Sequence, residues 1–187
     1  MSSYKNTMCK DKKLFAGANT PDGFVGFYDR LVDMYDLKKL YILKGGSGIG
    51  KSTFIKNFAK IFKDEDKDYL ICSGDPNSLD GVIIPGKKIG IIDGTEPHLV
   101  DPIYPGIVDE IINLGDCIIW DKVKATRDQF KQLASQKKQH YALAFEQLKK
   151  ARDVHHKIEA LYNGAVDYDA INLKLNKIIM QHIDNMT

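Results

Sequence analysis

The sequence predicts an α/β fold: a small, mostly parallel sheet layered with helices, and a long antiparallel helical hairpin appended to it. Three observations carry this. Apolar runs of strand type at 40–43, 69–72 and 89–92 alternate with turn clusters and helical spacing as far as Asp121. The first run passes through a glycine loop into a helix, Phe54 to Phe62, apolar at helical spacing. Between Asp121 and Gly164 there is neither glycine nor proline, and the apolar residues step by three and four. The expected division is an α/β domain over 1–121 and a helical arm over 122–187.

Residues 1–11 are polar and read as loose. Leu14 to Asn19 reads as a short strand or an ordered arm. Thr20-Pro21-Asp22 carries a helix-start signature, with Thr20 as cap and Pro21 at the first helical position. Phe24, Phe27, Leu31 and Met34 continue at helical spacing, so a helix through Tyr35 is expected ahead of the first core strand. After the second strand, Ser73 to Gly81 is a run of turn residues, and Asp75 and Asp80 fall where parallel sheets place ligands. Turns use aspartate anyway, and that plainer role fits both equally well. Val82-Ile83-Ile84 and Ile89-Gly90-Ile91-Ile92 flank Pro85-Gly86-Lys87-Lys88 and predict a hairpin at the sheet edge. Ile107, Val108, Ile111 and Ile112 predict a short helix stopping near Gly115, and Cys117-Ile118-Ile119-Trp120 a further strand. Beyond it, Phe130, Leu133, Tyr141, Ala144, Leu148, Ala151, Val154, Ile158 and Leu161 form one helical stripe, broken once by Lys137. Such a helix would be about 60 Å long. Asp167 can cap a second helix bearing Tyr168, Ile171, Leu175, Ile178, Ile179 and Ile183. The stripe needs a partner: the other helix, the sheet or another chain. The lysines on the other faces read as a solvated surface rather than a nucleic-acid contact.

The loop itself is Gly45-Gly46-Ser47-Gly48-Ile49-Gly50-Lys51-Ser52-Thr53, which fits the phosphate-loop pattern G-x-x-x-x-G-K-[ST] at every fixed position. Glycines let successive N–H groups turn inward, and the helix behind them aims its positive end at the same point. Lys51 is expected to reach the β- and γ-phosphates and Ser52 to ligate Mg²⁺. The magnesium acid is expected at the end of an apolar strand. Asp93 is preferred, because the polar loop Gly94-Thr95-Glu96-Pro97-His98 follows it; Asp121, leading into a helix, is the rival. Glu96 could orient a water and His98 could carry a proton, although Gly94 stands where clustered hydrolases put their glutamate. Hydrogen bonding within the loop is the plainer role for His98. A nucleoside triphosphate with Mg²⁺ is therefore the expected ligand.

Composition narrows the classes. At 187 residues the chain can bury a real core, and a net charge of +2 creates no global field toward nucleic acid or membrane. Only Arg30, Arg127 and Arg152 are arginines among 27 basic residues, few for an enzyme gripping two phosphorylated substrates. Cys9, Cys72 and Cys117 are odd in number and widely spaced, which predicts free thiols in a reducing, cytoplasmic compartment. No Cys/His spacing supports zinc, and no apolar run is long enough for a membrane span.

Several stretches taken together resemble a known family: Phe15-Ala16-Gly17 with Asn19-Thr20-Pro21 and Gly23-Phe24; Ile42-Leu43-Lys44-Gly45-Gly46; Cys72-Ser73 with the Asp75 to Gly81 run; Asp93-Gly94-Thr95-Glu96-Pro97-His98 with Asp101-Pro102; and Tyr104-Pro105-Gly106 with Asp109 to Asp116. The chain is similar over most of 14–121 to a bacterial family of predicted P-loop ATPases of unassigned physiological role. The resemblance implies a P-loop three-layer sandwich, ATP binding and a second phosphate-loop half, this chain matching the first. A second half would supply the strands that an apparent count of three leaves wanting. Two other readings stand beside a slow ATPase with a partner chain or second half: a small-molecule or nucleotide kinase, and a nucleotide-gated scaffold whose helical arm docks a partner.

Overall fold

The computed structural model describes residues 10–183; Cys9 and most of the polar N-terminal stretch lie outside them. The described chain is α/β. Its main sheet is built from β1 (Lys12–Leu14), β4 (Lys39–Lys44), β5 (Asp68–Ile71), β6 (Leu79–Ile84), β7 (Ile89–Asp93) and β8 (Asp109–Asn113), in the order β1-β5-β6-β7-β4-β8. β4 runs parallel to both neighbours, β7 and β8, and β1 runs parallel to β5; β6 is antiparallel on both sides. Six strands thus come from this chain, so no strand need be borrowed from a second half.

The central strands are near-continuous in Ile, Leu and Val because the sheet is covered on both faces. Side chains alternate between two apolar layers. Leu43, Val82, Ile84 and Ile91 pack with Ile55 and Ala59 of helix α2 (Lys51–Ile61) on one face. Leu40, Ile42, Ile83 and Ile92 pack on the other with Tyr28, Leu31, Val32 and Val100. That second layer is not purely helical. It holds the ribbon of β2 (Gly17–Thr20) and β3 (Gly23–Gly26), a 3-10 turn at Tyr28–Arg30 and the short α1 (Leu31–Tyr35).

Four expectations are corrected here. Thr20 starts no helix; it holds a hairpin turn, its hydroxyl accepting from the Asp22 N–H at 3.2 Å and donating to the Gly23 carbonyl at 2.7 Å. Gly17 pairs with Gly26, and Phe24 fills the space a Cβ at either would occupy. Helix forms only from Leu31, and ends where Asp36 turns left-handed at φ 48°. The stretch at 107–112 gives β8, not a helix. One oxygen of the buried Asp109 accepts the N–H groups of Ile103 (2.7 Å) and Tyr104 (2.6 Å), bracing a tight turn that delivers the chain to the open edge of β4. Cys117 to Trp120 is no strand: it is exposed, running from a 3-10 turn, Leu114–Cys117, into α3 (Trp120–Val123). The hairpin of β6 and β7 forms as expected, yet inside the sheet rather than at its edge.

The arm is helical as expected: α4 (Arg127–Tyr162, 36 residues) and α5 (Tyr168–Ile183). Asp167 caps α5 by accepting the Ala170 N–H at 2.9 Å. The apolar stripe is largely exposed, Leu133, Val154, Ile158, Ile171 and Leu175 included. The chain divides into two compact units, one ending at Phe145 and one beginning at Glu146, so the first takes in the opening half of α4. No helix among the described residues is long and apolar enough to cross a membrane.

Candidate functional site

The glycine loop leaves the end of β4 and enters α2 at Lys51. Gly48 (φ 84°) and Gly50 (φ 100°) are left-handed, a geometry that costs glycine little and other residues more. A Cβ at Gly46, Gly48 or Gly50 would meet nothing within 4 Å, so these positions face open space. Beneath it the Lys51 ammonium donates to the carbonyls of Gly45 (2.6 Å) and Gly46 (3.0 Å). It also lies 3.6 Å from an oxygen of Asp93. Ser52 Oγ accepts the Leu79 N–H at 3.0 Å, which ties the first turn of α2 to the start of β6.

Sheet register places Asp93. The parallel pairing of β4 with β7 sets Leu43 opposite Asp93, so the carboxylate emerges beside the loop. Its other oxygen is held by the Thr95 N–H (2.9 Å) and hydroxyl (2.5 Å). Lys44 braces the same loop from β4, donating to the carbonyls of Gly94 (2.8 Å) and Val100 (2.6 Å). Packing is tight here: a Cβ on Gly94 would sit 2.3 Å from Ile42 Cγ2. Gly94→Ala is expected to destabilise the fold by about 1–3 kcal/mol, read by urea denaturation. A midpoint equal to wild type would show that the loop yields freely.

The other sequence candidates separate. Asp121 is exposed and pairs with Lys124 at 2.8 Å, away from any strand end. Asp75 closes a turn, accepting from Ser78 Oγ (2.6 Å) and the Asn77 N–H (3.1 Å), and the Ser78 bond holds its carboxyl below the usual range. Glu96 is exposed in the loop after Asp93. His98 is buried, and both ring nitrogens are engaged: Nδ1 with the Asp93 carbonyl at 3.0 Å, Nε2 with Asp80 at 3.2 Å. A ring so held braces the Asp93 loop and has no nitrogen spare for proton traffic.

Asp80 is therefore more than a turn residue. It is 4 % exposed and accepts from the Tyr28 hydroxyl at 3.0 Å as well as facing His98. Burial, and then Asp80, push the Tyr28 phenol far above its ordinary range. Burial likewise raises the Cys72 thiol, as expected for a core thiol rather than a reactive one. For His98 burial opposes the charge, but the hydrogen bond and charge of Asp80, aided by Asp93, outweigh it and raise the pKa. No sequence pattern pointed to Tyr28 or Lys44; both are fixed by partners more than forty positions away.

Candidate metal donors are few. No cluster of three His, Cys, Asp or Glu that could hold an ion exists among the described residues. One hydroxyl, Ser52, and one carboxylate, Asp93, fit an ion that keeps several waters and shares a phosphate. Two hollows lie elsewhere: a groove of about 280 Å³ beside Phe24, Tyr28 and His98, and one of about 420 Å³ near Lys39 at the opposite end of β4. Neither includes the glycine loop. Comparison with protein-family models, curated proteins and solved structures returns no match, so the reading of the site rests on its own geometry.

Proposed function

We propose that this chain is a P-loop protein that binds a nucleoside triphosphate, ATP, with Mg²⁺, on residues 45–53, and hydrolyses it slowly. One arrangement supports the reading most. A glycine loop opens at the head of α2, Lys51 sits beneath it, and register brings Asp93 within 3.6 Å of that lysine. The head of α2 favours an anion there. Lys51 exchanges its carbonyl partners for phosphate oxygens, which answer its charge better. Ser52 and Asp93 are the residues that would hold Mg²⁺. The ion, when bound, supplies a Lewis acid that draws charge from phosphate oxygen. Thr95 pins one Asp93 oxygen, leaving the other aimed at Lys51. Glu96 is the exposed carboxylate available to orient a water, and His98 positions the loop that carries it. With few arginines in the chain, faster turnover is assigned to a partner chain or second half acting through the arm.

The test is calorimetric titration of the chain with Mg-ATP, followed by product analysis. Saturable binding with phosphate release in buffer alone is expected. Release only on addition of an acceptor would redirect the reading to a kinase. Tight binding without turnover would make the chain a nucleotide-gated scaffold. No binding of any nucleotide would overturn the reading.

A further inference from the structure

We infer that Lys137 of α4 is a second cation of the phosphate site, one that favours a triphosphate over a diphosphate. The inference rests on the nucleotide reading above. Lys137 and the loop belong to the same compact unit. The Lys137 ammonium donates to Ser47 Oγ at 3.4 Å, across 90 positions of sequence, and Ser47 is its one hydrogen-bond partner among the described residues. Ser47 is exposed at the open side of the loop, flanked by Gly46 and Gly48, whose Cβ positions face empty space.

The contact is not a stray reach of a surface side chain. Of the α4 residues in this unit, only Tyr141 and Phe145 are even half-buried, and they follow Lys137 at four-residue steps on one helix face. The Tyr141 hydroxyl lies 3.1 Å from where a Cβ on Gly74 would stand, in the loop that follows β5. The rings of Tyr141 and Phe145 are 6.2 Å apart. That same loop is joined to α2, because Lys56 donates to the Asn77 carbonyl at 3.2 Å. Tyr141 thus seats the helix, and one turn earlier the seat delivers an ammonium group to the glycine loop.

The chemistry of the contact is unbalanced as it stands. An ammonium carries three donors and a full charge, and a single neutral hydroxyl near the limit of hydrogen-bond distance answers little of either. Lys137 also interrupts an otherwise apolar stripe of the helix. A phosphate group bound in the loop would offer this solvent-exposed ammonium an anion in place of water. Lys51 alone faces Asp93, which takes up part of its charge. A second lysine restores positive potential, and a triphosphate, carrying more charge than a diphosphate, gains more from it.

The experiment measures Mg-ATP and Mg-ADP dissociation constants for the full chain, with Lys137→Ala, Lys137→Arg and the neighbouring Lys138→Ala. Lys137→Ala is expected to weaken ATP by about tenfold and ADP by less than about threefold, the span of one charged hydrogen bond. Lys137→Arg retains most of the preference, and Lys138→Ala matches wild type. Hydrogen exchange supplies a second readout: ATP slows exchange in 130–141 of wild type and not of Lys137→Ala. An unchanged ATP-to-ADP ratio in Lys137→Ala, with wild type binding normally, would overturn this proposal alone. Failure of wild type to bind either nucleotide would overturn the nucleotide reading and this one with it.

Discussion

Lys51→Ala is expected to abolish measurable ATP binding while leaving the far-ultraviolet circular dichroism spectrum unchanged. The two halves of that result come from different parts of the geometry. The ammonium makes two hydrogen bonds to loop carbonyls and faces Asp93, so it stands at the centre of the proposed phosphate site. Each charged hydrogen bond to phosphate is worth about 1.5–3 kcal/mol, so losing two weakens binding by more than about a hundredfold. Truncation also removes the ammonium that faces Asp93, so the carboxylate's charge toward the incoming phosphate is left to the magnesium ion alone, which adds to the loss. The fold is less exposed to the change. The carbonyls freed at Gly45 and Gly46 belong to an open loop that water reaches, and the buried anchors of α2, Ile55 and Ala59, lie farther along the helix. Lys51→Met, which keeps the stem, should bind no better than alanine. Wild-type affinity in either variant, measured by calorimetry, would remove the premise of the nucleotide reading.

What could be read from the sequence follows how local its cause is. Strand, glycine loop and helix from Lys39 to Ile61 are set by neighbours in the chain, and they stand where the apolar spacing puts them. Asp93 could be preferred because a polar loop follows its apolar strand, whereas Asp121 closes an equally apolar run and leads into a helix; the exposure of that run shows only in the structure. The misread elements are those whose deciding partner is distant. Ile107, Val108, Ile111 and Ile112 fit a helix as readily as a strand, and the tie is broken by the edge of β4, far upstream. Thr20-Pro21-Asp22 reads as a helix cap or as a turn; the pairing of Gly17 with Gly26 decides for the turn. Lys137 did leave a mark, as the one break in the stripe, but its target lies 90 positions earlier. Asp80 was singled out only together with Asp75 as a residue beyond a strand end, since a turn aspartate and a buried one look alike until Tyr28 and His98 are placed around it.

That buried aspartate gives the second large effect. Asp80→Ala should lower the unfolding free energy by about 3–5 kcal/mol, because it strands a phenol and an imidazole in the core with no acceptor. The loss should depend on pH in a stated direction. The folded pKa of His98 is raised above its unfolded value, the net effect of Asp80 and Asp93 against burial. A raised pKa contributes stability that is complete below the unfolded value, about 6.5, and fades as pH climbs through the folded one. The deficit of Asp80→Ala should therefore be greater near about pH 6 than near about pH 9, with urea denaturation run in metal-free buffer. What persists at the higher pH is the bond from Tyr28, whose raised pKa keeps its proton in place there. Asp80→Asn separates the two contributions, for the amide keeps an acceptor for Tyr28 but no charge for His98, so it should recover more of the loss at high pH than at low. A deficit independent of pH would mean that His98 is neutral throughout and that Asp80 acts as a hydrogen-bond acceptor alone. Either outcome bears on the site, since the same ring holds the Asp93 carbonyl at 3.0 Å, and whatever loosens it loosens the strand end that faces Lys51.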